Sequence, residues 1–288
     1  MVRIAAVMTC FNRREKTLAC LRTLESQQGH GADITAYVVD DGSTDGTAEA
    51  VARDHPAAEL LQGDGDLFWG GGMRLALQHA FGVGYDYYLW LNDDIDLDAD
   101  AVARLLETAR GLQRTGEHAA IVIGSMRDPA SGQVTYGGRY RPSRSRRTRF
   151  VVMEPSPDEP RVSETLNGNL VLVPAALASA VGNIDAAFRQ QWGDQDYGLR
   201  ARAAGGSVWV APGTFGSCAR NPAVVYGRQP FLQDLRALTS VKQFPPRDWA
   251  VFTRRWAGPL WPMYWASPYL RRALRMAGVH ARNAIRST

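Results

Sequence analysis

Over its first ninety residues the chain alternates between two hydrophobic periodicities, and this restricts the fold more than composition does. Residues 3–8 form a short apolar, β-branched run, Leu18, Leu21 and Leu24 recur at helical spacing within 14–28, and "ITAYVVDDGS" is a second strand closed by acid, glycine and serine. A helix over 45–54 capped near Ser43 or Thr44, a strand "AELLQ", a helix over 71–82 entered through glycines, and a strand over 86–91 follow. Strands alternating with helices specify a mainly parallel sheet with helices on both faces, an α/β fold. Such a sheet binds ligands beyond the carboxyl ends of its strands, where "DDGS" and "NDDID" both fall.

The second half is less regular. A helix over 99–112 and a strand over 120–125 lead into "GGRYRPSRSRRTRF", whose six arginines between 139 and 149 precede Pro155, Pro157 and Pro160. This stretch predicts a mobile surface loop. "LNGNLVLVPAALASAVG" reads as strand then helix, and "WGDQDYGLRARAAGGSVWVAPG" as a helix with Leu199 and Ala203 facing inward, then a strand at Val208–Val210.

Carboxylates dominate the candidate chemistry. Asn92, Asp93 and Asp94 follow an apolar strand that fixes their backbone; hard oxygen ligands there suit Mg²⁺ or Mn²⁺, which recruit further oxygens from phosphates. Asp98 and Asp100 belong to the start of the next helix, where acids complement the dipole. Gly70, Gly71 and Gly72 before a helix offer backbone N–H groups to an anion, with Arg74 adding charge. Asp194 or Asp196, near apolar Trp192 and Tyr197, is placed to act as a general base; Asp196 alternatively pairs with Arg200 one turn on.

Taken in order, these motifs resemble the family-2 glycosyltransferases, inverting enzymes of GT-A type with a Rossmann-like sheet, over roughly residues 3–220. "VMTCFNRREKTLACLRTL" is similar to the opening strand and helix, "VVDDGSTDGT" to the nucleotide-binding strand end, "LWLNDDIDL" to the metal-binding Asp-x-Asp site, and "LNGNLVLVP" and "WGDQDYGLRARAAG" to the acceptor-side strand and the catalytic-base helix. "GDGDLFWGGGM" resembles the rhamnosyltransferase-like branch. The resemblance implies a nucleotide-diphosphate sugar donor (dTDP- or UDP-linked) and a glycan or lipid-linked acceptor. It implies that Thr9, Phe11 and Arg13 border the nucleotide, that Asp41 contacts its base, that Asp94 binds a divalent cation, Mg²⁺ or Mn²⁺, and that Asp194 deprotonates the acceptor. Gly71, Arg74, Asn92, Asp93, Asn169, Trp192 and Asp196 complete the expected substrate-binding set. Asn92 stands where the first acid of the metal motif often does, Arg74 where the family often has Asn, and the late His of many GT-A enzymes has no evident counterpart in "APGTFGSCARN". A sugar-phosphate nucleotidyltransferase would show a glycine-rich segment after the first strand, which "TCFNRREKT" lacks; a non-catalytic nucleotide-sugar-binding module would share the motifs without turnover.

Charge divides the chain into an expected catalytic domain, 1–240, and a helical tail, 241–288. From Lys242 to the end nine Lys and Arg face one acid, interleaved with Trp249, Trp256, Trp261 and Trp265. Basic and aromatic residues together suit an anionic membrane surface, or else a helical cap on the domain. Nucleic acid is disfavoured as a partner because residues 1–241 are net acidic. Three cysteines without metal spacing fit a reducing compartment, and no apolar run is long enough for a signal segment or a span, so a cytoplasmic location, peripheral to the inner membrane face, is expected.

Overall fold

The computed structural model describes residues 1–220 and 230–286. The elements are, in order, β1 (Val2–Cys10), α1 (Arg14–Glu25), β2 (Ala32–Asp40), α2 (Thr47–Asp54), β3 (Glu59–Gln62), α3 (Phe68–Ala80), β4 (Tyr87–Leu91), β5 (Asp96–Leu97), α4 (Ala101–Arg114) and β6 (Ala120–Arg127). Four short strands, β7 (Val134–Tyr136), β8 (Gly138–Tyr140), β9 (Val151–Val152) and β10 (Arg161–Val162), lead to β11 (Thr165–Leu166), β12 (Leu170–Pro174), α5 (Ala175–Val181), α6 (Gly193–Ala203) and β13 (Ser207–Ser217). Beyond these lie α7 (Phe231–Leu238), α8 (Pro246–Trp256), a 3₁₀ turn (Gly258–Leu260) and α9 (Trp261–Arg286).

The main sheet runs β10-β13-β6-β12-β4-β1-β2-β3. Pairing is parallel among β4, β1, β2 and β3 and between β6 and β13, while β12 lies antiparallel between β4 and β6. The sheet is therefore mixed and mostly parallel, as the alternation predicts. Alternate residues of β1 serve two cores, as the two-residue period of a strand buried on both faces requires. Ile4, Ala6 and Met8 meet Leu18, Leu21 and Leu105 of α1 and α4, whereas Ala5 and Val7 meet Met73, Ala76 and Leu77 of α3. In α6, Leu199 is buried as expected, but Ala203 is exposed and Ala201 takes the inward place instead.

The tail packs on the domain. Trp249 and Phe252 of α8 form a third apolar cluster with Phe150, Phe188 and Leu199, against which Trp192, Phe244, Trp256, Trp265 and Tyr269 pack. Three of the four tail tryptophans thus face inward, and Trp261 lies beneath Arg254. The Arg-rich loop is tied down as well: Arg139 Nε donates to Asn167 Oδ1 at 2.7 Å, Arg141 pairs with Glu164, and Tyr264 Oη donates to Ser145 O at 2.7 Å. Among the described residues no helix is long and apolar enough to cross a membrane.

Helix α3 begins at Phe68, three residues before its expected start, because its glycines are packing surfaces within the helix. A Cβ on Gly72 would lie 2.1 Å from Thr9 Oγ1, and one on Gly70 would lie 2.1 Å from Phe188 O. Only hydrogen fits where α3 crosses β1. Gly72→Ala is expected to destabilise the fold by about 1–3 kcal/mol through overpacking, measured by urea unfolding, whereas Gly116→Ala in a surface turn, where no atom approaches within 4 Å, incurs only the backbone strain of its positive φ.

Candidate active site

The antiparallel setting of β12 builds the site. Leu170 pairs with Leu91, so the start of β12 lies beside the carboxyl end of β4, and Asn92 N donates to Asn169 O at 3.1 Å. Residues 167–169 thereby meet the acidic motif at the ligand-binding end of the parallel strands. Trp69 at the start of α3 spans the gap: its Nε1 donates to Asn92 Oδ1 at 2.9 Å, and its ring lies on Gly168, where a Cβ would stand 2.4 Å from it. Gly168 N in turn donates to Asp194 Oδ2 at 3.1 Å, with Asn167 Nδ2 at 3.4 Å. Gln195 N holds the other oxygen at 2.7 Å. A continuous network therefore joins Asn92 to Asp194, and the latter's carboxylate is fixed at the first turn of α6. Burial lowers the pKa of Arg139 while the charge of Asp194 opposes that shift, and Arg139 Nε donates to Asn167, the residue whose amide reaches Asp194.

Arg13 occupies the charge centre on the opposite side. Its Nη1 lies 3.1 Å from Asp93 Oδ1 and 3.0 Å from Asp94 Oδ2, with Lys16 Nζ 3.9 Å from Asp94. Burial pushes the Asp93 carboxyl up to about 6, with Arg13 opposing and Asp94 adding to the shift. Cys218 Sγ donates to Asp94 Oδ1 at 3.6 Å and accepts from Asn169 Nδ2 at 3.6 Å. Burial, reinforced by Asp94, pushes the Cys218 thiol up to about 12. The position past β13 thus holds a neutral thiol, not a histidine, against Asp94.

These groups fit a cation of one kind. Asp93 Oδ2 is buried without a hydrogen-bond partner, and Asp94 accepts from Arg13 on Oδ2 and only a weak thiol donor, Cys218, on Oδ1. Asn92 Oδ1 is taken by Trp69, and among the described residues no three His, Cys, Asp or Glu converge as a metal cage. Two carboxylates without a cage suit an ion such as Mg²⁺ that draws its remaining ligands from water and substrate phosphates.

The other expected residues divide. Phe11 is 44% exposed at the end of β1 and Thr9 lies under Gly72. Asp41 is buried, with Oδ1 accepting from Gly65 N and Leu67 N and Oδ2 from Phe68 N, so it anchors the loop into α3. The free amides of that helix start are consumed by the protein: Trp69 N donates to Gln190 Oε1, Gly70 N to Arg189 O and Gly71 N to Leu67 O. The expectation that Gly70, Gly71 and Gly72 present N–H groups to an anion is therefore corrected. Arg74 keeps a buried Nε without a hydrogen-bond partner. Asn169 is buried with its Oδ1 unpartnered.

Trp192 and Asp196 stand apart from this network. The Trp192 ring lies 4.9 Å from that of Trp249 and 4.8 Å from that of Phe244, turned into the tail cluster. Asp196 is fully buried; it accepts from Arg200 Nε at 2.8 Å, Arg255 Nη1 at 2.7 Å and Trp256 Nε1 at 2.9 Å. Its anticipated pairing with Arg200 is present, and two further donors from α8 make it the clip between tail and domain, with no oxygen left facing substrate. Trp69, Asn167 and Cys218 were not singled out from sequence: Trp69 lay in "DLFWGGGM" among residues attributed to the glycines, and no local spacing ties Cys218 to Asp94.

The glycosyl transferase family 2 model matches residues 5–159, more than half of the sequence. The chain belongs to glycosyl transferase family 2. The match takes in Asp41 and Asn92 to Asp94 and ends before Asn169 and Asp194. No curated protein matches the chain. Among solved structures, residues 1–349 of S. aureus TarS align with a TM-score of 0.53 at 16% identity, covering 76% of this chain and 60% of that one. The same fragment in complex with UDP aligns with a TM-score of 0.55 at 16% identity, over 77% and 61%. Full-length S. aureus TarS aligns with a TM-score of 0.55 at 14% identity, over 88% and 42%. At these identities the likeness is one of fold, and the chain spans about three fifths of the TarS fragment.

Asp196→Ala is expected to cost about 3–5 kcal/mol in urea unfolding, because it strands Arg200 and Arg255 at a buried pair. Asp98→Ala, which breaks only a partly exposed pair with Arg127, is expected to cost about 1 kcal/mol or less.

Proposed function

We propose that this family-2 glycosyltransferase moves a sugar with inversion from a nucleotide-diphosphate sugar, dTDP- or UDP-linked and with rhamnose as the candidate, to a hydroxyl of a glycan or lipid-linked acceptor. The single observation that carries this reading is the network from Asn92 through Trp69 and Gly168 to Asp194, which puts an anchored carboxylate across a strand end from the Asp93–Asp94 pair. The UDP held by the TarS fragment supports a nucleoside diphosphate as the leaving group.

In this reading the acceptor oxygen attacks the anomeric carbon as its proton passes to Asp194, and the bond to the diphosphate breaks with its electron pair leaving on the nucleotide. The N–H donors of Gly168 and Gln195 aim the carboxylate while leaving it lone pairs for that proton. Phe11, exposed beside Thr9, offers its ring to the nucleotide base near Asp41. Arg13, Lys16 and the unpartnered Nε of Arg74 offset charge on the diphosphate. A divalent cation would be held by Asp94 with Asp93 in support, and it would supply positive charge to the departing diphosphate. In this reading the enzyme works at the cytoplasmic face of an anionic membrane, with its basic tail toward the lipid.

Asp194→Asn is expected to lower kcat roughly 10²–10⁴-fold while leaving UDP binding intact, measured by sugar transfer beside calorimetry. Transfer unaffected by that substitution would overturn the assignment. Asp94→Ala is expected to abolish the strengthening of UDP binding by Mn²⁺, with Asp98→Ala behaving as the parent protein; equal losses at both positions would remove Asp94 from the cation site.

A further inference from the structure

Two features that the family's chemistry does not absorb meet at one place in the structure. The Arg-rich loop after β8 and the pocket-facing side of α9 enclose a cavity of about 320 Å³ lined by Arg146, Arg149 and Arg271 together with the hydroxyls of Ser145, Thr148 and Ser267. Tyr264 closes it from α9 by its hydrogen bond to Ser145 O. No acid lines this cavity, and α9 contains no Asp or Glu. Glu164, the acid that reaches this loop, is already paired with Arg141. Among the described residues none of the three lining guanidinium groups has a carboxylate partner, although Arg139 and Arg141 of the same loop are tied to Asn167 and Glu164.

The surface beside the cavity is apolar. Met263, Leu270 and Leu274 are about two-thirds exposed, and Ala266, Ala277 and Ala281 continue the same line along α9. These residues follow helical spacing, and the face carrying Ser267 and Arg271 lies about a quarter of a turn away, with Arg275 and Arg282 extending it. A helix with an apolar stripe outward and a row of arginines on its flank is suited to lie in a membrane interface. Arginine forks and hydroxyls that converge without acids bind phosphoryl oxygens.

We propose that this cavity is a binding site for the phosphomonoester or diphosphate group of a membrane lipid, with the stripe of α9 resting in the same leaflet. Hydrogen bonds link the cavity's loop to the acceptor side: Arg141 Nε donates to Arg147 O within the loop, and Arg139 Nε at its start donates to Asn167 Oδ1, whose Nδ2 donates to Asp194. The site therefore suits the phosphoryl end of a lipid-linked acceptor whose sugar extends toward Asp194. This step deepens the acceptor reading and rests on it for the role of the lipid, but binding is measurable without any sugar transfer.

The test uses the full chain on three vesicle types: phosphatidylcholine alone, phosphatidylcholine with phosphatidic acid, and phosphatidylcholine with phosphatidylglycerol adjusted to equal zeta potential. Co-flotation is expected to be several-fold greater with phosphatidic acid than with phosphatidylglycerol. Arg146→Ala with Arg149→Ala should erase that preference, whereas Arg275→Ala should weaken binding to both anionic vesicles about fivefold, as loss of one interfacial charge does. Leu270→Gln with Leu274→Gln should reduce flotation while leaving protection by soluble pyrophosphate, read by thermal shift, unchanged. Equal flotation on the two anionic vesicles, or a preference that survives the Arg146 and Arg149 substitutions, would overturn the site. Pyrophosphate protection that is lost with Arg146→Ala and Arg149→Ala, together with no flotation on any vesicle, would assign the cavity to a soluble phosphate and overturn the lipid. Because neither readout needs a donor sugar, failure here leaves the assignment of Asp194 standing, and loss of sugar transfer leaves the cavity standing.

Discussion

The antiparallel pairing of β12 with β4 is the constraint on which the site depends. Parallel strands deliver only their carboxyl ends to the ligand side, and the neighbours of an all-parallel β4 would place Asn167 to Asn169 at the far edge of the sheet. Reversing one strand brings its start, with the polar side chains of Asn167 and Asn169 and the amide of Gly168, to that edge. Both sides of β12 are paired, with β4 and with β6, so its register cannot slip without turning Leu170 and Leu172 out of one core and Val171 and Val173 out of the other. The hydrogen bond from Asn92 N to Asn169 O is a continuation of this ladder beyond its last residues. Rigidity in the sheet thus becomes positional accuracy between the acids after β4 and the carboxylate of α6.

The acids of this chain separate by what neutralises them. Asp196 and Asp41 are buried and saturated by donors of the protein, the first by Arg200, Arg255 and Trp256, the second by three amides. A saturated buried carboxylate holds elements in place, because losing it leaves donors stranded. Asp98 and Asp100 sit at the start of α4 with arginine partners. Asp93 differs in keeping one oxygen buried and unpartnered, and Asp94 in meeting only a mobile-length arginine, a distant lysine and a weak thiol donor. Incomplete satisfaction of this kind is tolerated where a ligand completes the set.

The alternation of strand and helix was legible because local periodicity carries it, and β1 to β4 with their helices fall close to the expected bounds. The reversed direction of β12 was not, since a five-residue apolar run reads alike in either direction and its pairing partners lie far off in sequence. The acidic motif and Asp194 announced themselves by position, whereas the roles of Gly70 and Gly72 could not be separated from anion binding until the approach of Thr9 and Phe188 was known. Trp192 and Asp196 share a helix start with Asp194, but 100° per residue sends their side chains to different surroundings, one helix face meeting the tail and another the strand end. Cys218 reaches Asp94 only through the fold, across 124 residues. In the tail, basic and aromatic composition supported both a cap and a surface helix; the structure gives the tryptophans to the cap and leaves leucine, methionine and arginine outward.

Arg13 sets the terms on which any cation enters the acidic motif. One guanidinium nitrogen lies within 3.1 Å of both Asp93 and Asp94, so the positive charge already present there must move before an ion can take the same oxygens. Two like charges confined at one carboxylate pair repel, and in a site where Asp93 is shielded from water that repulsion is less screened than at the surface. The Arg13 side chain is 39% exposed and rooted at the start of α1, which gives it room to swing outward. A divalent cation held by Asp93 and Asp94 would compete with this guanidinium for the carboxylates, and a guanidinium freed from them would be available to pair with a diphosphate.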